Sequence, residues 1–160
     1  MTFSKTHIAI VATLLLAATL ISFKADKKVV SWNYKVECIN GNEVKLTATG
    51  TITKGWHVYS VEQLEGLFAP APSSVILVDT LNLEKKGATT SPSKIHEDWD
   101  PALEMKSKYY ENEIVMEQSF NILNKTDSVR FMIEFQACDN KQCIFPFPER
   151  IALPMPEKCN

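Results

Sequence analysis

From Val30 to Leu153 the chain repeats one pattern, an apolar residue at every second position, in short runs parted by turns. A period of two is the signature of a half-buried strand, because successive side chains point to opposite faces. The clearest run is Val129, Phe131, Ile133 and Phe135, and it leads into Cys138. Val30, Trp32, Tyr34, Val36 and Cys38 form another. Val44, Leu46, Ala48 and Ile52 follow it, with Lys45, Thr47, Thr49 and Thr51 between them. Asn40-Gly41-Asn42 separates these two runs, which predicts a hairpin. Trp56, Val58 and Ser60, the short run Val75 to Val78, the set Ile114, Met116, Phe120 and Ile122, and finally Ile151 and Leu153 continue the series.

Helical patterning is confined to Val61–Leu67, one or two turns stopped by Pro70 and Pro72. Lys85 to Glu104 is polar and lacks alternation, so it is expected to be a long loop of the kind that often carries function. Many short strands and almost no helix predict an all-β, antiparallel sandwich. A thioredoxin fold would need βαβ units, and none is legible.

The export signal precedes this pattern. Lys5 is followed by an apolar run, Ile8 to Phe23, shorter than a membrane-spanning helix requires. Residues 1–25 are therefore expected to be a signal peptide or an uncleaved anchor, and 26–160 one domain. Phe23 fits a cleavage site poorly, and Lys24, Lys27 and Lys28 favour the anchor, so both readings stand. No cysteine follows the run, which argues against a lipid anchor. A formal net charge of −2 in 160 residues argues against nucleic acid as the main partner, since such binders usually show a basic patch and a high pI.

Export changes what cysteine can do, because disulfides persist outside the cytosol. The four cysteines are Cys38, Cys138, Cys143 and Cys159. Cys138 ends a strand and Cys143 sits in a polar turn ahead of Pro146 and Pro148. A disulfide between them would close a ring of six residues, worth only about 2 kcal/mol of loop-closure entropy. A Cys38–Cys159 link would be worth about 5 kcal/mol by the same relation. The small, exposed ring can open at little cost to the fold, as a carrier of reducing equivalents requires. Lys141 would favour a thiolate there and Asp139 would oppose one. A structural disulfide, or a soft-metal site completed by His57 or His96, are the competing readings of the residues. Cys38 falls on the apolar face of its strand, where a buried free thiol is the expectation. Phe145 and Phe147 are candidate docking residues for a partner, against core packing at a strand start. Trp56 and Tyr59 are expected in the core or under a cap, and His57 at the surface or hydrogen bonded.

The segment Gln136-Ala137-Cys138 … Cys143-Ile144-Phe145-Pro146-Phe147-Pro148-Glu149 resembles the end of the N-terminal periplasmic domain of DsbD, the thiol:disulfide interchange protein. Gly55-Trp56-His57-Val58-Tyr59 is similar to that family's Gly-aromatic-x-x-Tyr strand, and His96-Glu97-Asp98 to its acidic cap-loop region. The resemblance runs in order from about Val29 to Pro154. It implies an immunoglobulin-like β-sandwich acting as a thiol:disulfide oxidoreductase of the protein-disulfide reductase type, with Cys138 and Cys143 as its redox pair. It implies no organic cofactor and no metal. The implied partners are a membrane-embedded thiol reductase or electron transporter and periplasmic thioredoxin-like proteins. Asp98 or Asp100 would be the cap-loop acid, and Trp99 or Leu103 the shield over the pair. The chain departs from the family in a four-residue gap between the cysteines, split prolines and a longer cap. It also lacks a membrane domain, so the partner is expected on a separate chain. Cys138, tied to a regular strand, is the expected first point of attack. The alternative function is an immunoglobulin-like binding module with a structural disulfide.

Overall fold

The computed structural model describes residues 28–65, 69–101 and 103–159. In chain order the strands are β1 (Val30–Asn40), β2 (Glu43–Ile52), β3 (His57–Tyr59), β4 (Ser74–Leu77), β5 (Leu83–Thr90) and β6 (His96–Asp100). β7 (Met105–Glu111), β8 (Glu113–Ile122), β9 (Ser128–Glu134), β10 (Ala137–Cys138), β11 (Cys143–Ile144) and β12 (Ile151–Pro154) follow. One sheet has the order β1-β2-β8-β5, a second β11-β10-β3-β7-β6, and a third β12-β9-β4. All pairings are antiparallel. The chain passes from β9 into β10 across only Phe135 and Gln136, and residues of all three sheets pack into one buried cluster. Residues 1–25, where a signal peptide or anchor is expected, lie outside the described residues.

The core lies where the alternation put it. Val44, Leu46 and Ala48 of β2, Ile114, Met116 and Phe120 of β8, and Val129, Phe131 and Ile133 of β9 pack into one buried cluster with Val58, Val75, Leu83 and Tyr110. Cross-strand neighbours of this kind supply most of a sheet's stability. The β1–β2 hairpin turns at the expected Asn-Gly-Asn, where Asn40 Oδ1 accepts the Asn42 N–H at 3.0 Å. Gly50 sits opposite Trp32, and a Cβ there would come within 2.8 Å of the indole. The glycine therefore lets Trp32 lie flat across β2.

Three expectations fail. Lys85–Glu104 is not a loop: it holds most of β5 and all of β6. Both are edge strands, and edge strands carry charge and little apolar surface, which removes the alternation. β5 also breaks register between Lys86 and Thr90 around Gly87, whose φ is +73°. No helix forms over residues 61–65, and 66–68 lie outside the described residues. Finally, Cys38 is no free thiol, because it is bonded to Cys159 across a separation of 121 residues. Cys159 is brought there by a short 3₁₀ turn, Glu157–Cys159.

Candidate redox site

Sheet register decides which side chains meet. Cys138 pairs with His57 and with Cys143, His57 also pairs with Glu111, and Tyr59 pairs with Tyr109. On the next strand His96 pairs with Tyr109 and Asp98 with Ser107. Directly paired residues share a face, so one face of the second sheet gathers Cys138, His57, Tyr59, Ser107, Tyr109, Asp98 and Asp100. The opposite face carries Val58, Ala137 and Tyr110 into the core.

Cys138 and Cys143 form a disulfide across the β10–β11 rung. The two sulfurs differ in environment. Cys138 is fully buried, while Cys143 is half-buried at the sheet edge. The ring is thus not uniformly exposed, and the expectation that Cys138 is attacked first meets a steric obstacle. The Tyr59 hydroxyl lies 3.1 Å from Cys138 Sγ and 4.0 Å from Cys143 Sγ. The side-chain amide of Gln136, itself buried, donates to Cys138 Sγ at 3.8 Å. Sulfur accepts weakly in a disulfide, but the same donors strengthen as the sulfur gains charge.

Behind Cys138 the polar groups converge on one carboxyl. Asp100 Oδ2 accepts from Tyr59 Oη at 2.6 Å, contacts His57 Nε2 at 3.0 Å and accepts from Ser107 Oγ at 3.4 Å. Asp100 is almost fully buried. Burial, and then the Asp100 hydrogen bond and charge, push the Tyr59 hydroxyl far above the usual phenol range, so it stays a donor. Tyr109 is also raised, by burial and then by the charges of Glu111, Asp98 and Asp100. Asp139 is committed elsewhere. Its carboxyl accepts the backbone N–H of Lys141 and Gln142 at 2.8 and 2.9 Å, which holds it below the usual carboxylate range and fixes the turn between the cysteines.

Of the two candidate acids, Asp100 is the one joined to the pair. Asp98 is exposed, with Oδ1 accepting the Trp99 N–H at 2.7 Å. Alternation along β6 turns Trp99 to the face away from Cys138, and it is 59% exposed, so it does not lie over the cysteines. Leu103 is half-buried in the turn after β6, and its N–H donates to Asp100 Oδ1 at 3.2 Å. Phe145 and Phe147 do not enter the core: they are 69% and 97% exposed. They rim a groove of about 820 Å³ floored by Trp32, Tyr34, Trp56 and Ile144. Trp32 stacks on Tyr34 at 6.4 Å and meets Phe135 edge-on at 5.6 Å. His57 contacts Asp100, and His96 stacks on Tyr109.

Sequence reasoning set His57 and Tyr59 aside as surface or supporting residues. The one signal available was their spacing: two apart on a strand, they share a face, but only the register with β10 shows that this face holds Cys138.

The model of the family described as "Thiol:disulfide interchange protein DsbD, N-terminal" matches residues 26–154. The chain belongs to this family. The match contains both Cys138 and Cys143 and stops short of Cys159. That family is one of thiol–disulfide redox modules, and the chain shares the immunoglobulin-like fold of the DsbD N-terminal domain. Among solved structures, the N-terminal periplasmic domain of ScsB from Proteus mirabilis is similar, with a TM-score of 0.57 at 17% identity. That likeness covers 80% of this chain and 47% of the other, so the chain spans about half the length of that relative. The N-terminal domain of DsbD from Neisseria meningitidis, in its reduced form, gives a TM-score of 0.45 at 13% identity, over 83% of this chain and 89% of that one. No curated protein matches. Among the described residues no helix is long and apolar enough to cross a membrane.

Proposed function

We propose that this chain is an exported electron carrier. Its Cys138–Cys143 pair takes reducing equivalents from a membrane-embedded thiol reductase and gives them to periplasmic thioredoxin-like proteins. Residues 1–25 would export it, or hold it at the membrane if they stay attached. The observation that carries the reading is the asymmetry of the pair. Cys143 is half-buried at the sheet edge, just ahead of the exposed Phe145 and Phe147, while Cys138 is fully enclosed, with the Gln136 amide donating to its sulfur and the Tyr59 hydroxyl 3.1 Å away, its one proton able to serve either Asp100 or the sulfur. A staple has no use for such donors. A leaving thiolate does, because they stabilise the charge that forms when the bond breaks.

The sequence of events follows from that asymmetry. A partner thiolate attacks Cys143 Sγ, the Cys138–Cys143 bond breaks, and Cys138 keeps the electron pair. The partner's second cysteine then attacks the mixed disulfide and frees Cys143. Donation downstream runs the same steps in reverse. The turn holding Leu103 would limit access to the pair, and the Phe145 and Phe147 rim would meet the partner.

The test is trapping. A Cys138→Ser variant should form a stable mixed disulfide through Cys143 with a purified thioredoxin-like protein, and Cys143→Ser should form little. Capture by Cys143→Ser alone would reverse the order of attack. Capture by neither would leave only a binding module with a structural disulfide.

A further inference from the structure

The exchange just described leaves one group at the site without a role. His57 Nε2 lies 3.0 Å from Asp100 Oδ2, the same oxygen that accepts the Tyr59 hydroxyl at 2.6 Å. Tyr59 Oη reaches Cys138 Sγ at 3.1 Å. These contacts form an unbroken line from a fully buried sulfur to an imidazole whose side chain keeps 12% of its exposure.

Counting protons shows why the line matters. When the disulfide opens, the electron pair stays on Cys138 Sγ. The enclosed site then holds two anions, this sulfur and the Asp100 carboxylate, with one hydroxyl proton between them on Tyr59. Two buried negative charges sharing one proton are costly even where hydrogen bonds reach the carboxylate. Tyr59 cannot settle the matter by giving its proton away for good, because burial and Asp100 hold its hydroxyl far above the usual phenol range. A second proton has to come from outside the trio.

We propose that His57 relays that proton, so that opening of the Cys138–Cys143 bond is coupled to pH through the imidazole. Cationic His57 passes its Nε2 proton to Asp100 Oδ2, Tyr59 passes its own to Cys138 Sγ, and Asp100 restores Tyr59. The step begins with imidazolium, carboxylate, phenol and thiolate. It ends with imidazole, carboxylate, phenol and thiol, and no electron moves in it. On oxidation the proton returns the same way, which frees the Cys138 thiolate to attack. Histidine is suited to this because its charge ordinarily changes between about pH 5 and 8.

Several groups face His57 and set its field. Asp100 comes from β6 and Tyr59 from its own strand, with ring centroids 5.4 Å apart. Tyr109 of β7 lies at 4.8 Å and carries His96 on its far side. Glu111 of β7 and Cys138 of β10 are its register partners. Asp139, in the turn between the cysteines, also feels the His57 charge, after its own backbone hydrogen bonds and Lys141. Of these carboxyls only that of Asp100 contacts the imidazole, and His57 is the one basic group bonded to the Asp100 oxygen that contacts Tyr59 among the contacts described.

The inference rests on reading the pair as the exchange site, yet it can be tested apart from that reading, because dithiothreitol also reduces structural disulfides. The oxidised chain is reduced by dithiothreitol from pH 5 to 9, and each rate is divided by the dithiothreitol thiolate concentration. The normalised rate should fall by roughly tenfold in a single step as pH rises, at the modest end of what a positioned acid contributes. In His57→Gln the amide can still donate to Asp100 but cannot titrate, so the step should vanish. The same step in the variant, a uniform loss at every pH, or no step in the parent would each overturn the proposal. Should the variant misfold, the parent alone decides: the His57 ring titration followed by NMR must share its midpoint with the rate step, and a mismatch overturns the relay.

Discussion

The two disulfides sit on one chain and share almost nothing else. Cys38–Cys159 spans 121 residues and ties the last 3₁₀ turn to the end of β1, with no titratable side chain against either sulfur among the described contacts. Cys159 Sγ lies instead 2.9 Å from the Asn40 carbonyl. Cys138–Cys143 spans five positions, and one of its sulfurs faces a tyrosine, a glutamine and, through the tyrosine, a buried carboxyl. The long link constrains the unfolded chain and leaves the folded one little chemistry to do. The short link constrains almost nothing and is surrounded by groups that handle charge. Cys159 also lies beyond the family match while the short pair lies within it. Separation along the chain and the polarity of the surroundings therefore point the same way, toward a staple and a working bond.

Removing each bond should separate them most. Cys38→Ser/Cys159→Ser should lose about 5 kcal/mol of unfolding free energy, by the loop-closure relation, read from denaturant midpoints. Cys138→Ser/Cys143→Ser should stay folded and lose about 2 kcal/mol or less on the same relation. If the order of the two losses is reversed, the short ring is the staple.

A smaller effect tests the surroundings of the short pair. Tyr59→Phe removes the hydroxyl that joins Asp100 to Cys138, and should cost about 1–3 kcal/mol because a buried carboxyl loses a donor. It should also slow reduction of the short disulfide and leave the reduction of Cys38–Cys159 unchanged. Equal slowing of both would mean a general loosening of the fold.

The smallest effect concerns acid. The Asp139 carboxyl is held below its ordinary value by the backbone N–H groups of Lys141 and Gln142. A carboxyl depressed in the folded state adds stability above its unfolded value, and that contribution disappears as pH falls through the folded one. The turn between the cysteines should therefore loosen only in strong acid, seen as faster amide exchange at Lys141 and Gln142. Asp139→Asn should remove that dependence and leave the Cys38–Cys159 region untouched.

How much of this was legible beforehand follows from distance in sequence. The β1–β2 hairpin, the β9 run and the Cys138–Cys143 rung were readable because each rests on neighbours a few residues apart. The part of β5 past Leu83 and all of β6 were not, because their buried positions are polar: Thr89 bonds Gln118, and Asp100 bonds Tyr59. A polar residue buried by hydrogen bonds looks like a loop residue in a hydropathy pattern. The His57–Asp100 contact joins residues 43 apart and the Tyr59–Cys138 contact residues 79 apart. Only strand register brings them together. Cys38 and Cys159 are farther apart still, 121 residues, and are joined through a 3₁₀ turn, so entropy gave the value of a link but not whether the ends would meet.

The central claim is that the short disulfide is poised for exchange and the long one is not. The direct measurement is the reduction potential of each, obtained by equilibrating the protein with thiol redox buffers, quenching, and reading each pair by peptide mass. Structural disulfides of secreted proteins lie below about −300 mV, whereas thiol carriers lie near −200 to −270 mV. The account predicts that Cys138–Cys143 falls in the carrier range and Cys38–Cys159 below about −300 mV. A short-pair potential at or below that of the long pair would contradict it.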